Sequence, residues 1–313
     1  MLAWLLRLVL IAVFVLAGSL LTWGVAAGQP GWGLAAALAV FAAQPLMLGV
    51  EFMLQRQAHG NDPTPRPTTA ALWAAWQAET SVAVRVFFGR QPFLAEHEPD
   101  HLPMQAQGRR GVLLLHGFIC NRGLWNPWLR RLRHQGVPVV AATMEPVFGS
   151  IDDCAPAVES AMRQLEQCTG MRPIVVAHSM GGLVLRSWWA RHDGDSRVQH
   201  AITIASPHHG TVLARWALWR NARQMQRGSQ WLKALAGAEP AERYRRFTCF
   251  FGACDNIVFP PLTATLDGAD NRHLPGIAHM KMIESQSPWQ ALQTLLQPHA
   301  GVHHDTPRKP GGG

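Results

Sequence analysis

Residues 174–182 read Ile-Val-Val-Ala-His-Ser-Met-Gly-Gly, and LVLRSWWARH follows. Four consecutive apolar residues that run straight into a turn suit a strand buried on both faces, and the segment after the turn reads as a helix. Between them stands a small-x-Ser-x-Gly pattern. Turning from strand to helix in so few residues strains the serine backbone, so the neighbours two before and two after must be small. Ala177 and Gly181 meet that demand, with His178 and Met180 flanking Ser179 directly. The turn lifts the Ser179 hydroxyl clear of the sheet, at a helix N-terminus whose free N–H groups stabilise developing negative charge. The five-residue pattern alone occurs often by chance. Its context, buried strand before and Gly182 plus helix after, makes Ser179 a candidate nucleophile and imposes strand–turn–helix order on the chain around it.

Other segments repeat that order. GVLLLHG (111–117), VPVVAAT (137–143), PIVVAHS (173–179), VQHAITIAS (198–206) and RFTCFFGA (246–253) read as strands. Helical segments are expected between and after them, at 123–135, 151–168, 181–192, 209–235 and 281–296. Short apolar strands alternating with helices predict an α/β fold, a mostly parallel sheet with helices on both faces and right-handed crossovers. Upstream, TTAALWAAWQAETSVAVRVFF (68–88) reads as a helix, its end open to a strand reading. No internal repeat is visible. The stretch 297–313 is polar and rich in Gly and Pro, which predicts a disordered tail; His303-His304 within it reads as part of that tail rather than a metal site.

Attack by Ser179 on a carbonyl creates an oxyanion that needs two preorganised N–H donors. One is expected from Met180 and the other from Phe118, in the loop after His116-Gly117. His116 itself reads as a residue that shapes this loop. A serine of this type needs a base and an acid, in the chain order Ser…Asp/Glu…His. The strand at 246–253 runs on to Asp255, and LPGIAHM (274–280) brings His279 into a late loop before the last helix. Asp255 and His279 are therefore the candidate acid and base, with Asp267 and Asp270 as rival acids and His273 as a rival base.

The N-terminus differs in kind. Residues 1–54 carry only Arg7 and Glu51 as charged side chains, and two apolar runs, 2–27 and 32–54, each have the roughly 20 residues that cross a hydrocarbon core. Gln29-Pro30-Gly31 reads as the turn of a transmembrane helical hairpin, with Trp4, Trp23 and Trp32 near the interfaces. A cleaved signal peptide ending near Ala26-Ala27-Gly28 is the rival, and Glu51 and Pro45 weaken the second span. The expected organisation is a membrane anchor at 1–58, a Pro-rich linker at 59–67 and a catalytic domain at 68–296. Arg7, Arg56 and Arg66 at the ends, with no charge in the turn, favour a membrane protein with that domain in the cytoplasm.

The net charge is +8, but the arginines are scattered and no zinc or RNA-binding signature accompanies them, so they read either as a surface for anionic lipid headgroups or as solvated faces with no partner, and nucleic acid is not expected. Five cysteines (Cys120, Cys154, Cys168, Cys249, Cys254), an odd number, argue against an obligatory disulfide framework and read as structural thiols rather than metal ligands.

With these residues placed, the chain resembles bacterial lipase-like α/β hydrolases over about 109–296. The likeness rests on LLLHGFICNRGLW (113–125), MEPVFGSIDD (144–153), VVAHSMGGLVLR (175–186), ITIASPHHGT (202–211), GACDNIVFP (252–260) and LPGIAHM (274–280). It implies the α/β-hydrolase fold and hydrolysis of acyl esters through an acyl-enzyme without a cofactor, and it names no protein partner. Two departures stand out. Alanine replaces the commoner glycine at 177, and simple secreted lipases lack the N-terminal apolar segments. Residues 209–243, with tryptophans among arginines, read either as a lid or as a helix packed on the sheet. The alternatives are a thioesterase or acyltransferase with the same triad and, in another class, a non-catalytic membrane-anchored binding module, against which the complete Ser-Asp-His set argues.

Overall fold

The computed structural model describes residues 1–297. The stretch 297–313, expected to be a tail, lies outside them but for Gln297. Each of the five strand segments is occupied: β1 Val112–Leu115, β2 Val139–Ala142, β3 Ile174–His178, β4 His200–Ile204 and β5 Phe247–Phe251. A sixth strand, β6 Asp270–His273, closes one edge. The order is β2-β1-β3-β4-β5-β6, and every pair is parallel. Side chains alternate between the two faces. Leu113, Leu115, Val175 and Ala177 enter one core with the helix Met180–Arg191, while Val112, Leu114, Ile174 and Val176 enter the other with Trp125, Trp128 and Trp289. The strand order reverses beside β1, and in such sheets the crevice outside the carboxyl ends at this switch point is where ligands bind.

Several expectations fail for local reasons. Residues 82–88 form no strand. After α3 (Thr69–Ala83) the chain stays helical through Val84–Arg90, wound with π-type hydrogen bonds, because Val82 and Val86 bury their side chains in the core and override β propensity. The helix expected at 209–235 is broken into Val212–Trp216, Arg220–Gln224 and Gln230–Gly237; Gly228, at φ 71°, cannot continue a helix. Asp270 and His273, the rival acid and base, are the first and last residues of the edge strand β6.

The two apolar runs form α1 (Leu2–Ala26) and α2 (Pro30–Ala58), antiparallel neighbours that are both long and apolar enough to cross a membrane. The turn falls at 27–29, two residues earlier than expected. Pro30 starts α2, since a first helical residue needs no N–H, and Pro45 sits inside α2 without ending it. The start of α1 meets the body, where Arg7 Nε donates to the Pro92 carbonyl at 2.7 Å. The C-terminal half of α2 does too, burying Phe52 against Leu72, Ala75, Cys254 and Ala278.

The C-terminal end of the 209–243 segment is tied to the body. Arg186, 1 % exposed, ion-pairs with Glu239, which also accepts from Tyr244 Oη at 2.9 Å. Arg186 Nη1 donates to the His208 carbonyl at 3.0 Å. Removing one partner strands a buried charge. Glu239→Ala is therefore expected to lower stability by about 3–5 kcal/mol, read from the shift of the urea midpoint in detergent.

Candidate active site

Ser179 lies between β3 and the helix Met180–Arg191 with φ 55° and ψ −128°, a conformation that L residues reach only under strain and that clusters at functional sites. Close packing requires glycine beside it. A Cβ on Gly181 would lie 2.6 Å from the His116 carbonyl oxygen, and one on Gly117 would lie 2.8 Å from Ser179 Cβ. Ala177 and His178 are fully buried at the end of β3. Met180 is the first residue of its helix, so its N–H has no intrahelical partner.

The loop after β1 approaches the same point. His116 is structural here: its Nε2 accepts the Met144 N–H at 2.9 Å, and burial lowers its pKa to about 4, keeping it neutral. The Phe118 N–H makes no hydrogen bond among the described residues, and Ile119 next to it turns through φ 51°. Gln91 holds this loop, its Oε1 accepting the Asn121 N–H at 2.7 Å and its carbonyl accepting Asn121 Nδ2 at 2.9 Å.

On the other side, His279 Nδ1 lies 3.0 Å from both carboxylate oxygens of Asp255. Asp255 Oδ1 also accepts the N–H groups of Ile257 and Val258, each at 2.8 Å, which fixes the carboxylate independently of the histidine. Burial by itself lowers the His279 pKa; the charge and hydrogen bond of Asp255, with Glu79 beyond, outweigh it and raise the pKa above the ordinary histidine value. The rival residues stand elsewhere. Asp270 ion-pairs with Arg272 at 2.7 Å, the His273 ring lies tilted against Phe251 at 5.3 Å between centroids, and Asp267 makes no hydrogen bond to His279. Ser179 and His279 line one cavity of about 450 Å³ together with Gly117 and Phe118. No hydrogen bond joins Ser179 to His279 among the described residues; such bonds commonly tighten only around bound substrate.

Three site residues escaped sequence reasoning. Glu79, 1 % exposed, accepts the Met280 N–H at 2.8 Å and the Lys281 N–H at 3.1 Å, clasping the backbone right after His279. Burial pushes its carboxyl up to about 7, against the opposing pull of the His279 charge and the two N–H bonds. Asn256 Oδ1 lies 3.4 Å from the His279 N–H it accepts, and its Nδ2 donates to Glu51 of α2 at 2.7 Å. Gln91, fully buried, is the third. A signal for Glu79 existed: it falls with Leu72, Ala75, Val82 and Ala83 on the buried stripe of α3, and a lone carboxylate there demands a partner.

A profile of the alpha/beta hydrolase family matches residues 112–308. Among solved structures, the mature form of the Bacillus licheniformis lipase BlEst2 superposes with a TM-score of 0.55 at 18% identity, covering 64% of this chain and 98% of that one. Its propeptide form gives 0.54 at 17%, covering 65% of this chain and 54% of that one. At these identities the likeness is one of fold. No curated protein matches the chain.

Proposed function

The chain belongs to the alpha/beta hydrolase family, and from that premise we propose that it is a membrane-anchored serine hydrolase of carboxylic esters, with Ser179, His279 and Asp255 as its triad. The observation that carries this reading is the strained Ser179 sharing one cavity with an Asp255-paired His279. Ser179 Oγ attacks the ester carbonyl as His279 Nε2 takes its proton. The negative oxygen is received by the N–H groups of Phe118 and Met180, a contribution worth about 3–4 kcal/mol per donor in such sites. Collapse breaks the bond to the alcohol oxygen, which leaves with the proton from His279. Water, activated by the same histidine, then releases the acid and restores the serine. Asp255 holds the tautomer that leaves Nε2 free to accept a proton. No step calls for a metal or cofactor.

α1 and α2 serve in this reading as a hairpin anchor, with the hydrolase domain on the same side as the N-terminus. Arg7, Arg56 and Arg66 at that end favour the cytoplasmic face of a bacterial inner membrane.

The reading is tested with a series of 4-nitrophenyl esters, acetate to palmitate, on detergent-solubilised full-length protein. Hydrolysis of at least one member is expected. A folded protein that cleaves none, in detergent and in lipid vesicles alike, counts against ester hydrolysis. The pH profile adds a second check. The base must be neutral, and its pKa is raised, so the acid limb of kcat/KM is expected to fall above the ordinary histidine value near 6.5. Glu79→Gln removes a carboxyl that ionises at about pH 7 and opposes an amide NH₂ to a backbone N–H. It should move that limb to lower pH and lower kcat; an unmoved limb would show that Glu79 does not act on His279.

A further inference from the structure

α2 does more than tether the domain. Gln44, Met47, Leu48 and Glu51 recur at spacings of three and four, so they share one helix face, and all four line the cavity that holds Ser179 and His279. Phe52 and Gln55 extend the same stripe onto the body, Gln55 Nε2 donating to the Ala253 carbonyl. The opposite face presents Leu46, 65% exposed, and continues toward the headgroup boundary with Val50 and Met53, 52% and 61% exposed. Water disfavours such a face, whereas the hydrocarbon of a bilayer accepts it.

The depth of the cavity follows from the length of the hairpin. A hydrocarbon core about 30 Å thick takes about 20 helical residues. Counted from the first residue of α2, Pro30, that length ends near residue 49. Gln44, Met47 and Leu48 fall within it, so a hairpin that spans the core carries the cavity mouth down to the near edge of the hydrocarbon.

The rim across from α2 has matching chemistry. Leu213 and Phe118 line the cavity. From Phe118 an aromatic row leads outward through Phe148, at 6.0 Å between ring centroids, to Trp219, at 4.4 Å from Phe148. Trp216, Leu218 and Trp219 are 57%, 77% and 47% exposed, and Arg215 and Arg220 beside them are exposed too. Tryptophans and leucine beside arginines suit the headgroup boundary of an anionic membrane.

We propose that this cavity is an acyl-chain site open sideways to the bilayer: a long-chain acyl ester of a membrane lipid passes between α2 and the 213–219 rim, its chain lying along Met47 and Leu48 and its ester reaching Ser179. The inference rests on the ester-hydrolase reading above and adds to it a substrate class and a route. α2 thereby sets which chain lengths fit, a role the hairpin has in addition to anchoring.

The test uses full-length protein reconstituted in phosphatidylcholine vesicles, with 4-nitrophenyl acetate as the water-soluble ester and 4-nitrophenyl palmitate as the bilayer-resident one. Met47→Trp narrows the mouth at a residue already 58% exposed, so the fold should accommodate it; Leu48→Trp fills the wall. Both should lower the palmitate-to-acetate ratio of kcat/KM by roughly tenfold or more, since changes of a methylene or two in an apolar pocket shift discrimination by about 10–200-fold. For wild type, the palmitate rate should rise with its mole fraction in the vesicle at constant bulk concentration. A ratio unchanged in both variants overturns the acyl wall, as does an equal loss on both esters, which would make α2 purely structural. A palmitate rate that follows bulk concentration alone overturns the lateral route. Wild type inert on both esters would instead remove the hydrolase reading on which the proposal stands.

Discussion

Ser179→Ala is expected to lower kcat for ester hydrolysis by on the order of 10⁶-fold, the effect of removing a triad nucleophile in enzymes of this chemistry. The loss is expected in an intact protein. The Ser179 hydroxyl makes no hydrogen bond among the described residues, so its removal leaves no buried partner unsatisfied. The strain at φ 55° belongs to the backbone turn and is common to both residues. Thermal unfolding of Ser179→Ala should therefore match wild type closely, within the roughly 0.5 kcal/mol usual for substitutions that break no contact. A variant that unfolds with wild-type cooperativity but no longer cleaves the esters isolates the chemistry in one oxygen atom. Retention of more than a few per cent of wild-type turnover would mean that another group attacks the carbonyl, and the strained turn would need a different explanation.

What the sequence makes legible follows from how local each feature is. β3 and its turn can be read because burial on both faces demands a continuous apolar run, and the tight turn demands small residues at 177 and 181. β6 cannot. Asp-Asn-Arg-His is polar because an edge strand is largely exposed, and only its pairing with β5 makes it a strand. Asp255 and His279 are legible as a strand end and a late loop, but their pairing is a fact of the fold. Glu79 acts on Met280 across 201 residues of sequence, and no local pattern announces such a partner. Glu51 teaches a related point. A carboxylate in an apolar run weakens a spanning helix when the helix is considered alone, yet here it meets Asn256 beside His279. An ionisable group within a membrane-length helix points first to a function.

The arrangement around β1 and β3 explains why one small region gathers so much chemistry. The sheet reverses its order there, so the loops after the two strands diverge and leave a crevice. The helical stretch 69–93 and α2, both upstream of the family match, close that crevice from outside, through Gln91 on the loop after β1 and Glu79 and Glu51 around His279. These bracing residues thus come from the part of the chain that precedes the family match.

Asp255→Asn should lower kcat by roughly 10⁴-fold while leaving KM close to wild type, because a neutral amide imposes the wrong histidine tautomer. The structure offers a specific reason to expect correct geometry in this variant. Asp255 Oδ1 accepts the Ile257 and Val258 N–H groups at 2.8 Å, and an asparagine oriented with its carbonyl oxygen there keeps both bonds. Its NH₂ group then faces His279 Nδ1, at the position now 3.0 Å from the second carboxylate oxygen. To avoid donor facing donor, Nδ1 must accept, which moves the ring proton to Nε2 and leaves no lone pair to take the proton of Ser179. Loss of the carboxylate charge also removes the main influence raising the His279 pKa, so whatever activity remains should show its acid limb at lower pH. Steady-state kinetics across pH separates these effects: a fall in kcat with a shifted limb and steady KM marks Asp255 as the orienting acid. An unchanged kcat would transfer that role to Glu79, the other buried carboxylate against the His279 loop.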